Sequence, residues 1–213
     1  AREGRTGARL KHPNVVQLLD QGTSTDGRYH YLAFELVQGP TLEDLIERRG
    51  HLPESVVIGI AQGMLAALSH AHAANIVHRD VKPENVLLAG SGLIKLLDLG
   101  LAKRRGAAGL PTFGAVLGSP HYVAPEQVLG LEDVDVRADL YALGLTLWRS
   151  VTAQYPFPGD EFLTIVTRHV NEDVPDPRSL NPDLSDAFVT FLSGLYARDP
   201  EERYRSPAAA YAD

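Results

Sequence analysis

The chain has 213 residues, of which 44% are hydrophobic and 22% charged. That is enough apolar material for one buried core, and it excludes a disordered or collagen-like polymer. The chain has no cysteine and a net charge of −7, which excludes disulfides, thiol catalysis and cysteine-bound zinc, suits a reducing, cytoplasmic setting, and argues against a nucleic-acid partner.

Residues 1–11 carry helix-compatible side chains interrupted by Gly4 and Gly7, the pattern of a weak or cut-short helix. Residues 15–20 and 29–37 predict two strands joined by a turn over 22–27. Thr41, with Asp44 three residues on, predicts a capped short helix that stops at Gly50. Pro53 predicts the start of a long helix, because Val57, Ile60, Ala61, Met64, Leu65, Leu68 and His72 recur at helical spacing to about Asn75. The apolar runs 86–88 and 93–97 predict short strands around an Ala-Gly-Ser-Gly turn.

From 98 to 127 periodicity disappears, and a loop of that length in a compact domain is usually functional. Residues 138–152 are apolar almost all round and predict a central helix. Residues 162–170 and 185–197 predict two amphipathic helices, and Ser206 predicts the cap of a last one. The fold class expected is α+β, mainly helical, with a few strands near the front. The longest mostly apolar stretch, 138–148, is too short to cross a bilayer, and the basic opening lacks the apolar segment of a signal peptide, so no membrane segment is expected.

The residues that carry chemistry lie in three strings. His78-Arg79-Asp80-Val81-Lys82-Pro83-Glu84-Asn85 falls on a loop between the long helix and the strand pair. Asp98-Leu99-Gly100 follows 18 residues after Asp80. Gly118-Ser119-Pro120-His121-Tyr122-Val123-Ala124-Pro125-Glu126 closes the irregular segment. In this order and spacing they resemble the protein-kinase signatures H-R-D…N, D-F-G and A-P-E. The K-P-E-N form resembles Ser/Thr kinases, in the style of the bacterial ones related to eukaryotic enzymes. His12-Pro13-Asn14, Glu35-Leu36-Val37 and Asp199-Pro200-Glu201-Glu202-Arg203 extend the resemblance along the chain.

Phosphoryl transfer asks for positioning and charge neutralisation. Asp80 is the residue type and position for a carboxylate that accepts the substrate hydroxyl's proton. Asn85 and Asp98 offer the oxygen ligands that a hard cation takes. Lys82 can reach the transferring phosphate as a point charge. Taken singly, an Asp in a loop is usually a turn or cap residue and a Lys is usually solvated.

The resemblance implies further roles. ATP and Mg²⁺, with Mn²⁺ as a substitute, are the implied cofactors, and proteins bearing Ser or Thr the implied partners. Backbone groups of Glu35 and Val37 would meet the adenine edge, Leu87 would floor the pocket, Phe34 would guard its back, and Glu84 and Asp98 belong to the nucleotide site. By periodicity alone Phe34 and Leu87 are core residues. Arg79 would pair with a phosphorylated residue in the activation segment 98–126. Thr112, the only hydroxyl between Asp98 and Gly118, is either that phosphosite or an unmodified loop residue. Ser119 resembles the hydroxyl that faces Asp80 and Lys82 near the substrate. His78 and Asp139 are expected to brace the catalytic loop 78–85, with Asp139 accepting bonds from its backbone. Glu126 and Arg203 are expected to form a buried ion pair. His70 and His72 face different ways on one helix, against a shared metal, and His72 is expected to be a hydrogen-bonded core residue.

Two parts of the family pattern are absent from the 213 residues. There is no G-x-G-x-x-G loop, and no lysine precedes Lys11. Glu3 aligns with the family's regulatory-helix glutamate, whose partner is that missing lysine. Asp98-Leu99-Gly100 departs from D-F-G only at its middle, packing residue. The expectation is a kinase truncated at its N-terminus. Residues 1–36 would be part of a small lobe and 37–213 the large lobe, with little activity in isolation. A pseudokinase scaffold, or a small-molecule phosphotransferase of the antibiotic-kinase type, is the rival expectation.

Overall fold

A computed structural model describes residues 11–97, 119–131 and 134–213. The expectations for Glu3, Asp98 and Thr112, and for a helix over 1–10, lie outside the described residues.

Two strands open the molecule. β1 (Leu18–Thr23) pairs antiparallel with β2 (His30–Phe34), with a register irregularity between Leu18 and Asp20. Both are shifted from the sequence expectation. Gly22 and Thr23 stay in the ladder, and the turn is closed by Ser24 N–H donating to the Tyr29 carbonyl. Val15 and Val16 belong elsewhere. Val15 bridges Leu96 in parallel, and Val16 N–H donates to Leu96 O at 2.9 Å. Residues 35–37 have left the strand and form the connection to the helical part.

Helix α1 (Leu42–Arg49) starts where its cap dictates. Asp44 N–H donates to Thr41 Oγ1 at 3.0 Å and Thr41 N–H to Asp44 Oδ2 at 2.9 Å, a reciprocal box that satisfies two orphan donors. It ends at Gly50, whose φ of 75° suits only glycine without strain. Helix α2 (Glu54–Ala73) follows with Pro53 as the preceding cap residue, and stops two residues earlier than expected because Asn75 turns left-handed, φ 56°. By length and composition α2 is apolar enough to cross a membrane. Here it packs on residues 136–152, 207–212 and 94–96, with eight residues including Met64, Leu65 and Leu68 buried, as a core helix does.

β3 (Val86–Leu88) and β4 (Ile94–Leu96) form a second antiparallel pair. The short helix α3 (Pro125–Val128) falls within what reads as loop in the sequence. Helix α4 (Val136–Thr152) is the centre of the molecule: every residue but Arg137 is buried. Helix α5 (Phe162–Asn171) packs on α3, α6 (Asp186–Tyr196) on α4 and α7 (Pro207–Ala212) on α2, with Ser185 capping α6 and Ser206 capping α7. Gly144 of α4 lets α6 approach so closely that a Cβ there would lie 2.9 Å from Leu195. His72 is half-buried and makes no side-chain hydrogen bond among the described residues. Its place near the end of α2 puts it at the edge of the core, correcting the expectation of a bonded core histidine.

Candidate active site

The loop 78–85 is held from below by one buried carboxylate. Asp139, 1% exposed on α4, accepts His78 N–H on Oδ2 at 2.8 Å and Arg79 N–H on Oδ1 at 2.7 Å. Those two bonds fix Arg79 at φ 69°, a left-handed conformation that a side chain with a Cβ adopts only at a cost of about 1–2 kcal/mol. Burial pushes the Asp139 carboxyl above the ordinary range, opposed by His78 and the two backbone donors. Arg79 Nε is buried without a partner among the described residues.

His78 then sets the geometry above. Its Nε2–H donates to the Leu97 carbonyl at 2.7 Å, so its Nδ1 is the acceptor for Asp80 N–H at 3.2 Å. Leu97 N–H in turn donates to the Asn85 carbonyl at 2.9 Å. The end of β4 is thus bonded to the loop 78–85 on both sides.

Asp80, Lys82 and Asn85 converge. Asn85 Nδ2 donates to the Asp80 carbonyl at 2.7 Å and to Asp80 Oδ2 at 3.0 Å. Lys82 Nζ lies 3.0 Å from the same Oδ2. One carboxylate oxygen is therefore committed to positioning, while Asp80 Oδ1 and Asn85 Oδ1 have no hydrogen-bond partner among the described residues. A free carboxylate oxygen and a free amide oxygen on one loop are the donor set a hard divalent cation and a hydroxyl proton require. The residues present fit such a cation. Glu84 is exposed.

The second wall is the connection after β2. Leu88 N–H donates to the Pro40 carbonyl at 3.0 Å, Gly90 N–H to the Gln38 carbonyl at 3.1 Å, and Thr41 bridges Leu87. Gly39 makes this possible: a Cβ there would sit 1.9 Å from the Leu88 carbonyl oxygen. The Glu35 carbonyl and both backbone groups of Val37 have no hydrogen-bond partner among the described residues. Unpaired backbone groups beside a half-buried Leu87 and Phe34 form an edge that a flat heterocycle can pair with.

Ser119 precedes a short 3₁₀ turn, Pro120–Tyr122, and is half-buried. Further on, Arg203 donates to Glu126 through Nη1 at 2.7 Å and Nη2 at 2.9 Å, with side-chain exposures of 0% and 7%. Arg203 also donates to the carbonyls of Ala197, Arg137 and Arg198. This pair ties the end of the activation segment to the loop before α7.

Several contacts elsewhere in the molecule escape a reading of the sequence. Lys95 pairs with the Glu35 side chain at 2.6 Å. Arg149, buried on α4, pairs with Glu43 of α1 and lies over the Tyr155 ring, which stacks on His121. His169 of α5 accepts from, or donates to, Tyr141 Oη at 2.8 Å within the core. The three hydrogen-bonded pairs, Lys95–Glu35, Arg149–Glu43 and Tyr141–His169, each join residues at least 28 positions apart, and only the charged or titratable residue type inside an apolar stretch signals them.

This constellation lies between a two-stranded hairpin and a helical body, the arrangement of a protein kinase domain. The protein kinase domain family matches residues 1–211, and the chain belongs to that family. It is 37% identical over 206 residues to the probable serine/threonine-protein kinase CPE1738 of Clostridium perfringens, covering 97% of this chain and 30% of that protein. It is 37% identical over 211 residues to serine/threonine-protein kinase PknL of Mycobacterium tuberculosis, covering 99% and 52%. Serine/threonine-protein kinase PrkC of Bacillus subtilis is 34% identical over 212 residues, covering 100% and 32%. The chain thus spans about a third to a half of the length of these relatives. Family membership implies ATP and a divalent metal.

Proposed function

We propose that the protein transfers the γ-phosphoryl group of ATP to Ser or Thr hydroxyls of proteins, with residues 1–36 as part of a small lobe and 37–213 as the large lobe. The observation that carries this reading is the convergence of Asp80, Lys82 and Asn85 on a loop fixed by buried Asp139, beside the unpaired backbone edge of Glu35 and Val37.

Asp80 Oδ1 receives the proton of the acceptor hydroxyl, and its Oδ2 stays bonded to Asn85 and Lys82, so the carboxylate keeps one orientation. Lys82 lies within reach of both Asp80 and a phosphoryl oxygen, and supplies positive charge where negative charge builds up. Asn85 Oδ1, with Asp98, would hold Mg²⁺ or Mn²⁺. When bound, that cation neutralises phosphate charge and fixes the phosphates. The backbone of Glu35 and Val37 takes the adenine edge over Leu87. Arg79 supplies the cation that a phosphorylated Thr112 would pair with, ordering the activation segment. Ser119 faces the acceptor hydroxyl.

The test is protein phosphorylation by the full-length protein. Asp80→Asn removes the proton acceptor and keeps the size, and general-base assistance is worth about 10²–10⁴-fold. The expected loss is at least about 100-fold. Activity of Asp80→Asn within a few-fold of wild type would refute the role. No transfer by the wild type, with intact folding, would favour a scaffold. The isolated 213-residue chain, which carries no glycine-rich loop, is expected to show little activity in the same assay.

A further inference from the structure

The Glu35 side chain has a role separate from its backbone. Oε1 accepts from Lys95 Nζ at 2.6 Å and from Gln17 N–H at 2.9 Å, and Glu35 N–H returns a bond to the Gln17 carbonyl at 2.9 Å. Lys95 stands on β4 directly opposite Leu87 in the ladder, and Leu87 bridges Thr41. Its side chain is 14% exposed and that of Glu35 30%. The approach to β1, the connection 35–37 and β4 therefore meet at one carboxylate oxygen. A single cross-strand step separates that oxygen from the residue under the adenine.

We infer that Lys95 is a positioning residue for the nucleotide, holding the backbone edge of Glu35 and Val37 at a fixed height above Leu87. The inference rests on the proposed nucleotide cleft. A purine is a rigid slab, and the gap that receives it is bounded by an edge and a floor from different segments. Residues 38–41 zip to β3 beyond the pocket. Before the pocket, the Lys95–Glu35 contact is the side-chain tie between that edge and the strand pair carrying the floor. An exposed ion pair contributes little. This one is shielded, shares its acceptor with a backbone donor, and keeps the Glu35 carboxyl below its usual range, with Lys95 as the main cause. Lys95 itself touches no substrate in this reading.

The experiment titrates the full-length protein with fluorescent ADP plus Mg²⁺, and measures KM for ATP and kcat. Lys95→Met is expected to weaken ADP binding and raise KM by about three- to tenfold, the loss of roughly one charge-assisted contact, with kcat falling by a smaller factor. Lys95→Arg, which keeps the charge and reach, is expected to stay within twofold of wild type on both. Lys95→Gln is the second variant where Met fails to fold, with the same direction expected. A folded Lys95→Met or Lys95→Gln with wild-type ADP affinity and KM, or with kcat reduced and KM unmoved, overturns the inference alone. Wild-type protein that binds no ADP overturns the inference together with the proposed function.

Discussion

The hairpin and the central helix solve opposite problems. α4 has lost nearly all contact with water, so each of its polar groups is matched: Asp139 by two backbone donors, Thr146, Ser150 and Thr152 by carbonyls four residues back, Arg149 by Glu43. The β1–β2 hairpin carries Leu19 at 61% exposure and Tyr29 at 68%, and among the described residues its ladder is two strands wide. Such a ribbon contributes little stability alone. The contrast shows how the proposed site is held. Asp80 is aimed by a chain of contacts that begins in the most buried helix, whereas the residues expected to meet the nucleotide lie at the seam with the least buried element.

The contrast breaks most sharply at Arg203. Arg203→Met leaves Glu126 buried and uncompensated and removes donors to three carbonyls, so a loss of about 3–5 kcal/mol is expected in urea denaturation. A loss below about 1 kcal/mol would show that the body tolerates an orphaned charge.

His169 gives the next largest effect, and its sign is fixed. The ring is buried beside Tyr141 and Phe157, and desolvation, with repulsion from His121, lowers its pKa from 6.5 to about 4. The folded state therefore favours the neutral ring, while the unfolded chain protonates first. Stability from this group is full above pH 6.5, falls as pH drops towards 4, and levels off below that, a total of about 3 kcal/mol. Denaturation midpoints between pH 4 and 7 should show the slope in the wild type and a shallower one in His169→Gln. Equal slopes would place the acid sensitivity elsewhere.

The smallest effect belongs to the hairpin. Leu19→Ser and Tyr29→Ser remove side chains already in water, so each is expected to change stability by less than about 0.5 kcal/mol, measured the same way. A cost above about 1 kcal/mol would mean the hairpin is anchored more firmly than its exposure implies.

Much of this architecture was legible because its signals are local. The Thr41–Asp44 box, the apolar run of α4 and the string 78–85 each fall within a few residues, where periodicity and capping act. The family and the α+β class followed from those strings. The strand ends were misread because alternation says which side chains share a face, not which strand receives them; Val15 and Val16 look like the start of β1 but pair with Leu96. The left-handed Arg79 was hidden because it is imposed by Asp139, 60 residues on. The Lys95–Glu35 contact was hidden for the same reason: a lysine within a strand carries no mark of its partner until the fold brings one.

The most direct test of the cleft is a crystal structure of the full-length protein with Mg²⁺ and a non-hydrolysable ATP analogue. The account predicts the adenine edge on the backbone of Glu35 and Val37, a cation about 2.1 Å from Asn85 Oδ1, and the terminal phosphate between Lys82 and Asp80. A nucleotide bound away from residues 35–37, or a cation with no ligand from Asn85 or Asp98, would contradict it.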